Sequence, residues 1–281
     1  MSLLPRFTAA RGAFAVMALV AIAGTVTGVA MAAAPSAPSA RSALRSQVTT
    51  PIDHQLCYAA TGSGFQIPTV ELENQFSTTP FTPTIGSVAY HCNPVAKTLP
   101  NGTVYTISNP SAHLLCWNIT ESTQPTPEVQ VTNQFGTAVL QPSQPNLLCL
   151  PTWKSLTAPP NETPNQPPGL SHFTCYPVQE VSGGYNPPAV KLQDEFASAP
   201  VAATVNPVPV ELCLPTEKIV GSTTYPILNS TYHLLCFPVS QTPIISPVFD
   251  QNQFVPQPPG GVKITITHTT WLCVPSTKQI V

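Results

Sequence analysis

Histidine and cysteine recur in this sequence at a spacing that could ligate a metal or carry thiol chemistry. His54 precedes Cys57, His113 precedes Cys116, His172 precedes Cys175 and His233 precedes Cys236, and an aromatic residue follows each cysteine. Imidazole and thiolate are both good zinc ligands, and a closed zinc site takes about four of them. The flanking residues are mostly apolar and read as short strands, in which residues three apart point to opposite faces. The histidine and cysteine of one copy therefore diverge, and the other two histidines, His91 and His268, do not repeat. On this reading there is no metal ligand and no cofactor-binding residue.

A second cysteine motif closes each copy. Cys92, Cys149, Cys213 and Cys273 head the pattern Cys-x-Pro-x-x-Lys, which ends at Lys97, Lys154, Lys218 and Lys278. Two cysteines per copy, at separations of 35, 33, 38 and 37 residues, are most simply four disulfides in an exported chain. The repeat selects Cys57 with Cys92, Cys116 with Cys149, Cys175 with Cys213 and Cys236 with Cys273. Exchange between neighbouring copies is the alternative. Between the two motifs lies Asn-Gln-Phe or Asp-Glu-Phe, ending at Phe76, Phe135, Phe196 and Phe254. Such a polar and aromatic group could contact a sugar, but its recurrence favours architecture, with the ring in the core and the polar side chain capping a turn or bulge. The histidines are expected at strand starts, bonded to neighbouring backbone. The lysines are expected to end strands and shield an edge, or to offer a repeated cationic contact.

No catalytic residue is assigned. Asp53, Asp194 and Asp250 are the aspartates, and none sits in a nucleophile-elbow, zinc-protease or phosphate-loop context. Oxidised cysteines leave no thiol nucleophile. Carboxylate pairs for glycoside hydrolysis obey no sequence spacing, so a secreted hydrolase acting on polysaccharide is the alternative function. Asp194-Glu195, replacing Asn-Gln in one copy, is the departure that favours it.

The elements that must position these residues form a fourfold repeat. The opening cysteines are 59, 59 and 61 residues apart, which marks one supersecondary unit per copy. With 35 prolines and only 8% charged residues, the chain suits strands and proline-rich turns rather than helices. Tyr105 and Tyr225 each stand eight residues before the next opening histidine, whereas the connector at 157–169 is proline-rich without strand character. The units therefore pair in this reading. The fold class is all-β: two tandem small antiparallel β-sandwich or partly open barrel domains, at 50–156 and 170–281, joined by a linker at 157–169. A single four-bladed propeller is the alternative.

Ahead of these units, Arg6 and Arg11 precede an apolar run that ends in small residues, so residues 1–32 read as a signal peptide and 33–49 as a Pro/Ala/Ser tether. Removing 1–32 leaves eight basic against twelve acidic residues, a net charge near minus four. That balance excludes a phosphate-binding surface and hence nucleic acid. Membrane association is expected only through an uncleaved N-terminal segment.

Taken as a set, His-x-x-Cys-aromatic, Asn/Asp-Gln-Phe and Leu-Cys-x-Pro-x-x-Lys resemble a family of uncharacterised secreted bacterial repeat domains. The resemblance covers about residues 50–281 and implies no activity or ligand. The expected function is a non-enzymatic, disulfide-stapled module, secreted or on the extracytoplasmic cell surface, that binds an unknown extracellular ligand or envelope component.

Overall fold

The computed structural model describes residues 47–48, 52–77, 79–121, 126–164, 166–241, 247–255 and 260–281. The expected signal peptide, and the tether apart from Gln47–Val48, lie outside the described residues. Those described form eighteen strands and no helix.

Eight strands carry the cysteine motifs. The opening strands of units one to four are Gln55–Gly62, His113–Thr120, His172–Tyr185 and His233–Ser240. The closing strands are Thr84–Pro94, Leu147–Ser155, Glu211–Val220 and Val262–Ile280. Each pairs antiparallel with the next in chain order, and Val262–Ile280 returns to pair with Gln55–Gly62. The sheet thus closes on itself as an eight-stranded barrel. Within a unit the two cysteines stand directly opposite each other. Between units the register slips: Cys92 faces Leu114, Cys149 faces Phe173, Cys213 faces Leu234 and Cys273 faces Gln55, each two positions short of the next cysteine. Barrel closure needs a fixed stagger, and the repeat supplies the same step at every junction.

The all-β class holds, but the tandem-domain arrangement does not describe this pairing. The described residues make one compact unit, and all four repeats share one ring. Nor are the units blades, because neighbours are hydrogen-bonded edge to edge. The physical reason is that an isolated unit leaves two unpaired strand edges, and only closure removes them. The segment at 157–169 lies along the barrel rather than spanning a gap. Trp153 Nε1 donates to the Pro164 carbonyl at 2.8 Å, and the Gly261 amide donates to that of Pro160 at 3.1 Å.

At the cysteine motifs both faces of the barrel strands are buried. The eight cysteines fill the lumen together with Leu114, Leu147, Phe173 and Leu234, leaving a cavity of about 10 Å³, at the threshold for one water. The outer face, including Leu56, Trp117, Leu150, Tyr176, Leu214 and Phe237, is covered by four short arm strands and the loops around them. A strand buried on both sides reads as a continuous apolar run, which is the character of His113-Leu-Leu-Cys116-Trp117.

The arms reach across the ring. Glu71–Glu73 of unit one pairs with Glu211–Val220 of unit three, and Val129–Asn133 of unit two with Val262–Ile280 of unit four. Val190–Gln193 of unit three pairs with Ala96–Thr98 at the end of unit one, and Pro247–Gln251 of unit four with Leu147–Ser155 of unit two. Every arm is thereby tied to the unit opposite its own.

Candidate functional site

Each arm ends in the Asn/Asp-Gln/Glu-Phe motif, and the three residues divide the work. The first makes a tight turn by accepting the amide of the phenylalanine two residues on. Asn74, Asn133, Asp194 and Asn252 do so through Oδ1 at 2.9, 2.8, 3.0 and 2.9 Å. The turn sends the phenylalanine inward, where it meets, edge to face, the aromatic residue that follows the opening cysteine of the opposite unit. Phe76 meets Tyr176, Phe135 meets Phe237, Phe196 meets Tyr58 and Phe254 meets Trp117, at centroid distances of 5.1, 5.4, 5.3 and 5.0 Å. Phe76, Phe135 and Phe254 are buried, and Phe196 is partly so.

The middle residue reaches sideways into the preceding unit and meets its histidine, and at Gln253 and Glu195 its lysine as well. Gln134 lies 2.5 Å from His54 Nε2, which is also 2.9 Å from Lys97 Nζ. Gln253 meets His172 Nε2 at 3.1 Å and is bonded by Lys218 Nζ. Gln75 meets His233 Nε2 at 3.1 Å. Glu195 pairs with Lys154 and lies 3.8 Å from His113 Nε2. Each lysine also sits over the neighbouring unit's phenylalanine: Lys97 over Phe135, Lys154 over Phe196, Lys218 over Phe254 and Lys278 over Phe76, at 4.8, 4.4, 5.0 and 4.8 Å. Four clasps result, each made by one unit on the next, and the fourth returns to the first.

The lysines are therefore not edge residues. Lys97 and Lys218 are fully buried, Lys154 has a fully buried side chain and Lys278 is half-buried. The histidine rings reach side chains of the adjoining unit, and His113 also bonds a backbone group, at Pro110, as expected. Burial drives the lysines toward their neutral form, bringing Lys97 down to about 6, Lys154 and Lys218 to about 7 and Lys278 to about 8. Burial, then the lysine alongside, lowers His54 and His113 well below the usual imidazole range and takes His172 to about 3 and His233 to about 4.

The clasp of unit two on unit three differs from the others in chemistry. Around Lys154 the structure gathers His91, Asn93, Asp194 and Asp250, all buried. His91 Nδ1 is 2.7 Å from Asp250 Oδ2, and its Nε2 is 2.9 Å from Asn93 Oδ1. Asn93 Oδ1 also receives Lys154 Nζ at 2.7 Å and lies 3.1 Å from His113 Nδ1. Asp194 Oδ2 accepts from Asn93 Nδ2 and from the Tyr58 hydroxyl, both at 2.8 Å. Burial first, and the Asp194 charge second, hold the Tyr58 phenol protonated and hence a donor.

Sequence reasoning singled out Asp194-Glu195 and noted that His91 stands outside the repeat, but missed this convergence. The missing signal is positional. His91 and Asn93 occupy the places of Leu148 and Leu150, Leu212 and Leu214, or Leu272 and Val274 in the other closing motifs. Asp250 likewise stands where the other arms carry Leu72, Val131 and Leu192. Four polar departures, drawn from units one, three and four, meet beside one lysine of unit two.

A surface groove of about 600 Å³ lies between the turn at Leu99–Gly102 and the arm at Val190–Lys191, with Ala202 on its far wall. No family model matches the chain, and neither a curated protein nor a solved structure does.

Proposed function

We propose that the chain is an exported, non-enzymatic, disulfide-stapled module that acts in the extracellular space or on the cell surface by binding an envelope component or other extracellular ligand. The observation that carries this reading is the ring of four disulfides, Cys57–Cys92, Cys116–Cys149, Cys175–Cys213 and Cys236–Cys273. Such a density of disulfides belongs to oxidising compartments. The filled lumen directs ligand binding to the outside of the barrel, where the groove at Leu99 and Val190 is lined mainly by apolar residues together with Thr98 and Lys191. Fractionation of cells carrying the chain with an epitope tag after Val281 tests the reading. The tag is expected in the medium or open to antibody on intact cells, and confinement to the cytoplasm would overturn it. A glycan array of the mature protein tests a sugar as the ligand.

The convergence of Asp194, Glu195 and Asp250 favours a polysaccharide hydrolase as the second reading. Against it, Asp194 is engaged through both oxygens and Asp250 is fully buried, whereas hydrolysis needs room for substrate and water between two carboxyl groups. Polysaccharide turnover that disappears in Asp194→Asn would establish the enzyme.

A further inference from the structure

We infer that Lys154 and Asn93 are partners in an intramolecular isopeptide bond that ties the closing strand of unit two to that of unit one. Three observations outside the disulfide and clasp scheme lead here. Asn93 is a fully buried amide at a position that is leucine or valine in the other three units, and its Oδ1 lies 2.7 Å from Lys154 Nζ. Its Nδ2 donates to a buried carboxylate, Asp194 Oδ2, at 2.8 Å, at the one turn where aspartate replaces the asparagine of Asn74, Asn133 and Asn252. Its carbonyl oxygen faces two imidazoles, His91 Nε2 at 2.9 Å and His113 Nδ1 at 3.1 Å. The site therefore holds a nucleophile, an electrophilic amide, a carboxylate on the leaving nitrogen and two ring nitrogens on the oxygen.

The reaction needs no co-reactant. Neutral Lys154 Nζ attacks Cγ of Asn93 and forms the new N–C bond, while the carbonyl electron pair moves onto Oδ1, where the Nδ1–H tautomer of His113 donates to the developing charge. A proton lost from Nζ passes through Asp194 Oδ2 to Nδ2, which departs as ammonia when the old C–N bond breaks. One amine and one primary amide become one secondary amide and one ammonia, with no change of oxidation state. Burial lowers Lys154 to about 7 against the opposing charges of Asp250 and Asp194, so a free amine is present near neutral pH. Exclusion of water protects both the nucleophile and the product. The neighbouring contact of Lys154 with Glu195 belongs to the fourfold clasp and leaves the asparagine unaccounted for.

Peptide mapping of the folded, full-length wild-type protein by tandem mass spectrometry, after reduction and alkylation, tests the bond without any variant. The expected result is a branched peptide joining the segments around Asn93 and Lys154, lighter than the sum of its arms by one ammonia. Recovery of both residues only in linear peptides would overturn the proposal, as would a branch from Lys154 to Glu195 lighter by one water. Asp194→Asn keeps the turn acceptor that Asn74, Asn133 and Asn252 supply through Oδ1. It is expected to leave most of the protein unlinked with circular dichroism unchanged, and full linkage in this variant would remove Asp194 from the mechanism.

Discussion

His91 of unit one and Asp250 of unit four are paired at 2.7 Å across 159 residues of chain, and neither exposes any side-chain surface. The pair replaces leucine or valine, and such replacements by well-packed apolar residues are often neutral in the reverse direction, whereas removing one partner strands a buried polar group. Either single change, Asp250→Leu or His91→Leu, is expected to destabilise the fold by about 3–5 kcal/mol. The double substitution His91→Leu with Asp250→Leu, which installs the apolar residues of the other units, should recover most of that loss. Denaturant unfolding of the four proteins of this cycle checks it, and additive losses would mean that the two residues are not coupled.

Lys97 gives the clearest dependence of stability on pH, because burial is the cause of its shift: among the described residues it lies over Tyr105 and Phe135 and beside His54. Its folded value of about 6 lies far below the ordinary lysine value, so between the two the unfolded chain binds a proton that the folded chain does not. Stability therefore rises with pH from about 6 to about 10. Glu211, raised by burial to about 7, acts in the opposite sense only below that value, since its folded state holds the proton longer. Between about pH 7 and 9.5, before tyrosines titrate, the slope belongs to the buried lysines. The denaturation midpoint should climb through this window in wild type and climb less in Lys97→Met. An identical slope in the two proteins would show that Lys97 stays charged in the fold.

Phe254 shows what the arms contribute to the ring. It is fully buried between Trp117 of the opposite unit and Lys218 of the preceding one. Phe254→Ala leaves a cavity outside the barrel wall and should cost about 3–5 kcal/mol. Phe196→Ala, at a partly buried ring, should cost less. Equal losses in chemical denaturation would show that burial of the arm ring does not set the cost.

The strands, the fourfold repeat and the two cysteines of each unit were legible because they rest on local spacing. The closure was not. His113-Leu-Leu-Cys116-Trp117 gives no alternation, since Cys116 faces the lumen while Leu115 and Trp117 face the arms, and a run buried on both sides does not say what covers either face. The unequal connectors suggested paired units, yet the link at 157–169 only has to pass along the barrel wall, because strand pairing constrains the strands and not the length or composition of what joins them. Lys97 read as an edge residue for the same reason: its surroundings are built from Phe135 of the next unit, Tyr105 of the connector and His54. The polar centre was hidden because Asn93 and Asp250 each depart from the repeat in a different unit.

The placement of the disulfides predicts how they respond to reductant. All eight cysteines are at most 5% exposed and face a lumen without room for a thiol reagent. Sulfur–sulfur approaches of 3.7 Å between Cys57 and Cys273, and 3.9 Å between Cys149 and Cys175, bring neighbouring bridges into contact inside the ring. Thiol–disulfide exchange needs access of the attacking thiolate to a sulfur, so the barrel wall must open first. In native buffer with millimolar dithiothreitol the protein is expected to keep all four disulfides, and in denaturant to lose them together without a long-lived one-, two- or three-disulfide species. Quenching with iodoacetamide over time and counting the added masses follows this directly. Stepwise loss in native buffer would show that the bridges are reached without opening the ring. Because each bridge closes a loop of 33 to 38 residues, worth about 4 kcal/mol in the chain-entropy model, Cys116→Ala with Cys149→Ala should lower stability by up to that amount while the other three pairs stay protected.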